Sequence, residues 1–440
     1  MKELHALAPE KLTNIVNSRL DSITTLKKQA GNENLFFSGT YAEHPPLTLR
    51  FSPPVITEKL AFRLDDAGPL ALGGIAYTTA NAATAKAVLV LGDSGAAEAI
   101  DLAGALPPDT DMFTTQEGQP PCAYLLFAEP VELASLTVIN RQRQLWRNHG
   151  LSVSYTDARS QEYLLFAHRP LVTAFMHAFE ASRSEYTGDA TLCAAVKKLD
   201  TILLTLIYDA APKTMSDLSI EDIALLTTIK LLVSQKIFFP REREITSHGI
   251  VRSFRFWSEK ERINYLKDAC DIIAALEQIS PYVSFAYGSV LGFVREASGH
   301  IPHDTDHDLV ILFPEGENST YEDAYILVER HLTALGMELR GRDTNMLCTK
   351  VAGKRSGTTI DIFPGFYDEQ GLARAHPTFL GKYLRLVEHF PVAKAHICGV
   401  ACPIPHNAVD YLGTLFGKHW RTPLNSCFTA EHNSKLILGD

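Results

Sequence analysis

The 440-residue sequence predicts a multidomain α+β protein: a β-sandwich over residues 1–168, a helical connector over 169–245, and an α/β domain with a mixed sheet over 246–440. Three observations predict it. Short β-type runs, broken by Pro, Gly, Asn and Asp, dominate from about residue 30 to 168, and helix-period apolar spacing takes over near residue 170. From Ser258 onward the order helix, strand, helical turn, strand, helix, strand describes a small α/β domain.

In the first region the strand candidates are residues 47–51, 59–64, 74–77, 87–91, 123–127, 135–140, 151–155 and 163–167. Spacing of this kind suits a sandwich. The run Leu136-Thr137-Val138-Ile139-Asn140-Arg141, followed by Trp146-Arg147 and Leu151-Ser152-Val153-Ser154, resembles the core of discoidin-like (F5/8 type C) domains. That resemblance implies a jelly-roll sandwich that binds glycans or lipids at its loop tips. Arg141 and Arg147 read more simply as braces of the sandwich.

In the connector, Val172, Phe175, Met176 and Phe179 recur at helical spacing, as do Leu199, Ile202, Leu203 and Leu206. Ser219 precedes Glu221 and Asp222 as a helix cap, and Pro240 with Arg241-Glu242-Arg243-Glu244 marks the boundary. These apolar faces suit packing between domains better than a membrane or a cofactor.

The third region opens with Ser258-Glu259-Lys260-Glu261, a capping-box pattern, and an apolar stripe of Ile263, Leu266, Cys270, Ile273 and Leu276 ahead of Pro281. A strand over residues 283–287 then enters Gly288-Ser289, where glycine lets backbone N–H groups approach a phosphate at the start of a helix over 290–296 carrying Arg295. Asp304, Asp306 and Asp308 alternate just before the apolar run 309–313, so a strand would point all three carboxylates to one face. A second helix is expected from Ala324, Leu327, Val328, Leu332 and Leu335, and Asp361 lies on a further strand, Thr359-Ile360-Asp361-Ile362-Phe363-Pro364. Such carboxylates repel one another until a hard cation joins them; Mg²⁺ takes one or two, with water and substrate phosphates completing its shell. A pair of metals so held clamps the attacking and leaving oxygens of an in-line displacement. The competing reading is a solvated acidic turn.

Tyr287, Gly288, Ser289, Leu291, Gly292, Val294, Arg295, Ile301, Pro302, Asp304, Asp306 and Asp308 follow the signature of the LicD/fukutin family, which this region resembles over roughly residues 255 to 425. Later elements appear in order: Ile360-Asp361-Ile362-Phe363-Pro364, Pro403-Ile404-Pro405 with Tyr411-Leu412, and Phe416-Gly417-Lys418-His419-Trp420 with Pro423. Ser289 replaces the usual Thr, His303 the usual Trp and Phe416 a Tyr, and one extra residue falls between Gly292 and Ile301; these departures bear on donor and acceptor preference more than on metal chemistry.

The resemblance implies a DNA polymerase beta-like nucleotidyltransferase fold. It also implies a Mg²⁺- or Mn²⁺-dependent transferase that moves phosphocholine, a polyol phosphate or a sugar phosphate from a CDP-alcohol or similar donor to a glycan hydroxyl, in cell-surface polysaccharide biosynthesis such as capsule or lipopolysaccharide. In that reading Asp306 and Asp308 hold metal on the donor's pyrophosphate, and Asp361 binds a second metal or takes the acceptor's proton. Gly288 and Ser289 cradle a phosphate. Arg295 either neutralises charge on the leaving nucleotide or forms a structural ion pair, and Asp304 either orients the metal ligands or caps its turn. His303 stands near the donor or serves structure alone. Lys418 and Trp420 reach the nucleotide or acceptor, with a core role equally open for Trp420.

Composition agrees with an enzyme: 46% hydrophobic and 21% charged residues are ordinary for globular chains, and a net charge of −10 opposes general nucleic-acid binding. The start lacks an apolar signal core and no run reaches the roughly 18 to 20 apolar residues of a membrane span, so a cytoplasmic protein is expected. Seven cysteines, odd in number, fit a reducing compartment. His396, Cys398, Cys402 and His406 offer zinc-like ligands, but Gly399 and the alternation around it favour strand and turn. Two alternatives stand beside the transferase. One is a true nucleotidyltransferase placing NMP on a small molecule or protein; the other is a noncatalytic glycan-binding protein, which the intact aspartates disfavour.

Overall fold

Two strands of unusual length organise the first part of the chain. The computed structural model describes residues 1–29, 46–65, 70–81, 87–91, 100–101, 113–114, 122–140, 150–208, 220–246, 249–316, 320–343, 348–374, 384–417 and 420–422. These fall into two compact units, Met1–Ser216 with Thr228–Arg241 and Asp217–Thr227 with Glu242–Asp440.

The first unit contains β1 (Leu47–Leu64), β2 (Ala71–Thr79), β3 (Ala87–Leu91), β4 (Ile100–Asp101), β5 (Phe113–Thr114), β6 (Cys122–Asn140), β7 (Leu151–Thr156) and β8 (Glu162–Ala167). All eight belong to one sheet, curled into a half-barrel, in which β6 pairs with β1 along most of its length and divides its other edge between β3 and β2. The strands expected at 47–51 and 59–64 are therefore one strand, and so are those at 123–127 and 135–140. Pro53, Pro54 and Pro130 look like strand breakers in the sequence, yet they sit where the β1–β6 register shifts and no ladder bond is needed. Both halves of the long strands feed one core, with Leu60, Phe62 and Leu125 packed in the same cluster as Leu47, Leu136 and Val138. Each such side chain contributes about 1.5–3 kcal/mol when buried. Arg141, Trp146, Arg147 and Ser219 lie outside the described residues.

Helices α1 (Lys2–His5), α2 (Pro9–Gln29), α3 (His168–Ala181) and α4 (Ala190–Tyr208) pack together in this unit. Residues 9–29, expected within the sandwich region, thus join the helical layer. Phe175, Phe179, Leu199, Ile202 and Leu203 are buried as their spacing predicts. Arg19 is fully buried: its Nε (2.7 Å) and Nη2 (2.9 Å) donate to the Asp200 carboxylate, Nη1 to Ser182 Oγ and Nη2 also to the Phe179 carbonyl. Helix α5 (Ile220–Val233) crosses the division between the units.

The second unit begins with the paired β9 (Glu244–Thr246) and β10 (Gly249–Val251). It continues through α6 (Glu259–Leu276), β11 (Val283–Phe285), α7 (Tyr287–Arg295), β12 (Asp308–Pro314), α8 (Tyr321–Ala334), β13 (Leu339–Asp343), β14 (Cys348–Ala352) and β15 (Thr359–Tyr367). The remaining elements are β16 (Leu372–Arg374), β17 (Leu384–Arg385), α9 (Leu386–His389), β18 (Ala393–Ile397), β19 (Val400–Ile404) and α10 (Ala408–Phe416). The sheet runs β11-β12-β15-β14-β13 and is mixed, because β12 and β15 are parallel while their other neighbours are antiparallel. The capping box forms as its spacing predicts, Ser258 Oγ accepting from the Glu261 amide while the Glu261 side chain accepts from the Ser258 amide. In β12 every residue from Leu309 to Phe313 is buried, as befits a central strand covered on both faces. The six cysteines among the described residues are free thiols.

Candidate active site

Asp308 opens β12 and stands in direct register with Asp361 on the parallel neighbour β15. Paired residues on adjacent strands present their side chains to the same face, so topology brings together two carboxylates 53 positions apart in sequence. Helix α7 enters on that face. The Gly288 amide in its first turn donates to Asp308 Oδ2 at 3.2 Å. A Cβ on Gly288 would stand 3.4 Å from both Asp304 Oδ2 and Asp308 Oδ2, so two carboxylates converge on a helix start that glycine leaves open. The preceding Tyr287 holds left-handed backbone (φ 43°), a strain of about 1–3 kcal/mol, with its amide on Tyr411 Oη at 3.0 Å and its ring edge-on to Phe363.

One residue earlier the alternation turns His307 to the opposite face. Its imidazole is buried among Tyr265, Phe254, Phe285, Phe293 and His300, stacked on Tyr265 at 4.8 Å. Burial, with a smaller push from His300, drives its pKa well below the usual imidazole value and keeps the ring neutral. Nδ1 lies 3.1 Å from Ser289 Oγ, which also accepts from the Asp308 amide at 2.8 Å. The Tyr265 hydroxyl donates to the Thr359 carbonyl (2.5 Å) and accepts from the His307 amide (3.0 Å), and the Asp361 amide donates to the His307 carbonyl (3.1 Å). A single buried phenol therefore ties together the starts of both carboxylate-bearing strands.

The electrostatics of the face are one-sided. Burial, followed by the charges of Asp306, Asp304 and Asp361, raises the Asp308 carboxyl well above the usual carboxylate range, and the Gly288 hydrogen bond only partly offsets this. Lys350, opposite Asp361 on β14, provides the compensating charge, with Nζ 2.5 Å from Asp361 Oδ2. Burial works to lower the Lys350 pKa, but the hydrogen bond and charge of Asp361, helped by Asp306, outweigh it and hold the ammonium charged. Cys348 Sγ approaches the same Asp361 oxygen at 3.5 Å.

Several expected residues take other places. Asp304 and Asp306 are not on a strand, since β12 begins at Asp308. The Pro302 and Asp304 carbonyls accept from the Arg255 and Phe254 amides at 2.8 Å, which holds this stretch as a loop instead of extending the sheet. Helix α7 starts at Tyr287, three residues earlier than expected, which buries Ser289 beneath the site as a brace. Arg295 sits at the other end of α7, roughly 12 Å along the axis from its start. Its guanidinium bonds Glu296 (2.6 Å) and the Trp420 carbonyl (3.2 Å), the contacts that the ion-pair reading expects. Trp420 is part of the core, and His303 occupies the half-buried turn before Asp304. Lys418 lies outside the described residues. The cysteine-histidine stretch forms the hairpin β18–β19, whose Cys398-Gly399 turn has both φ angles positive (47° and 77°).

Among the described residues no three His, Cys, Asp or Glu side chains are already drawn together as a ligand set. Asp361 is held by Lys350 and Asp308 by the Gly288 amide. The donor chemistry nonetheless suits a hard cation: all the acids are oxygen ligands, and their mutual repulsion is the kind that a divalent ion relieves. No motif in the sequence marks Lys350, Tyr265, His307 or Cys348 for these places. For Lys350 the only local sign was a charged residue inside the alternating run Cys348-Thr349-Lys350-Val351. No protein-family profile and no curated protein sequence matches this chain. Among the described residues no helix is long and apolar enough to cross a membrane.

Proposed function

We propose that this protein is a metal-dependent transferase of substituted phosphate groups, moving a phospho-alcohol or sugar phosphate from a CDP-type donor to a glycan hydroxyl in the cytoplasm. The observation that carries the reading is the register pair Asp308–Asp361 on parallel strands, with Asp304 and Asp306 adding charge at the same point. It is supported by the LicD/fukutin-like order of motifs and by a mixed sheet whose two parallel strands bear the acids, as a nucleotidyltransferase-like domain would arrange them.

In this reading Asp306 and Asp308 hold Mg²⁺ or Mn²⁺, with Asp361 as a further ligand or as the base that accepts the acceptor hydroxyl's proton. The bound cation supplies charge neutralisation at the donor's pyrophosphate and lowers the hydroxyl's pKa. Gly288 keeps the helix start free of side-chain bulk beside the donor phosphate. Ser289, His307 and Tyr265 hold Asp308 and Asp361 at fixed spacing from behind. The N-terminal region, a single curled sheet where a two-sheet sandwich is expected, serves in this proposal as a glycan-docking element through its discoidin-like run.

The test is incubation of the purified protein and Mg²⁺ with CDP-alcohols, other nucleotide-activated sugars and free NTPs. NMP released from one activated donor, and lost in Asp306→Asn, is the expected result. Pyrophosphate released from an NTP would replace this reading with nucleotidyl transfer, which the same carboxylates serve.

A further inference from the structure

We infer that Lys350 is a built-in stand-in cation that competes with a divalent metal for Asp361 and so sets the metal affinity of the site. The inference rests on the metal-dependent transfer proposed above and concerns a residue to which that proposal gives no role.

Directly opposed side chains on an antiparallel pair have Cβ atoms about 4.5–5.5 Å apart, so the β14–β15 register alone delivers the ammonium to the carboxylate. The contact is a single one, from Nζ to Oδ2 at 2.5 Å. The partners differ in freedom. The Asp361 side chain is 10% exposed and fixed in the central strand, whereas that of Lys350 is 32% exposed on a flexible four-carbon stem. The lysine can therefore leave and the aspartate cannot. Arg295, Arg342 and Arg355 are committed to acids of their own: Glu296, the pair Glu322 and Glu329, and the pair Asp268 and Asp271. Asp361 in turn stands in register with Asp308 on β12, which places the ammonium beside the acids that would hold the metal. A divalent ion recruiting Asp361 must displace this ammonium or bind beside it against its charge. Lys350 thereby acts through Asp361 as a positioning residue.

The experiment measures Mn²⁺ binding to the full-length protein by titration calorimetry, with no donor present. Lys350→Met is expected to bind Mn²⁺ about tenfold more tightly than wild type. Lys350→Arg, which keeps the charge and adds a second hydrogen bond to the carboxylate, should bind no more tightly than wild type. A merely structural lysine would give the opposite result, since a damaged site loses metal. Lys350→Gln is the second neutral variant, retaining a hydrogen-bonding group on the stem should Lys350→Met fold poorly. Equal or weaker Mn²⁺ binding in a folded neutral variant overturns the inference while leaving the metal reading intact. Absence of Mn²⁺ binding at millimolar concentration in wild type and in both neutral variants, also with CDP added to supply phosphate oxygens to the shell, overturns the metal reading, and this inference with it.

Discussion

The two units each contain an acid that burial pushes toward its neutral form, and they deal with it in opposite ways. At Asp200 burial raises the pKa while Arg19 and Arg183 pull it back, and Arg19 is fully enclosed with Nε, Nη1 and Nη2 all bonded. At Asp308 burial also raises the pKa, but the next contributions come from three more carboxylates and push the same way. A saturated buried pair is architecture. An acidic face whose carboxylates reinforce one another, with a single partly exposed lysine beside it, carries an imbalance that a purely structural pair does not.

The largest effects should separate the two. Asp306→Asn and Asp308→Asn are expected to lower turnover by at least about 10³-fold, as loss of a metal ligand at a phosphoryl centre should. Asp308→Asn should at the same time raise Tm by about 2–4 °C, because it removes a repelled charge. Calorimetric scans check this, and a large fall in Tm would mean that Asp308 is structural in the manner of Asp200. Arg19→Met, by contrast, should destabilise its unit by about 3–5 kcal/mol in urea titrations, since it removes the enclosed partner of a buried acid and leaves Arg183 alone beside it.

A smaller effect sharpens the contrast through pH. Burial lowers the folded-state pKa values of His300 and His307 below their unfolded value. Between the folded and unfolded values the unfolded chain binds more protons, so stability falls as pH drops below about 6.5. Tm followed from pH 7.5 to 5 should decline, and His307→Phe should flatten part of the slope. The smallest effect is at the local cap, where Ser258→Ala should cost about 1 kcal/mol without changing the site.

How much of this could be read in the sequence depends on how local each feature is. The Ser258–Glu261 cap needs only residues three apart, and it formed as expected. The hairpin at Cys398-Gly399 was legible for the same reason. Asp308 and Asp361 read as acids on neighbouring strands, which the sheet pairs in register, but the strand alternation expected for Asp304 and Asp306 fails because Phe254 and Arg255, about fifty residues upstream, take up the loop's carbonyls. Lys350 could not be found, because antiparallel register is a property of two strands and one residue's slip would turn it away. The breaks predicted in β1 and β6 treated proline as a stop, when a bulge with no required donor accommodates it.

The buried Arg19 has a further implication for how the chain is made. Helix α2 leaves the ribosome early, yet its partner Asp200 lies 181 residues later. At roughly 5–20 residues per second, that is about 10–35 s during which an amphipathic helix with an arginine on its inner side lacks the acid that neutralises it. A segment made well before its partner is thus among the last to settle, and nascent chains stalled before residue 200 should present residues 9–29 to proteases and to holdase chaperones.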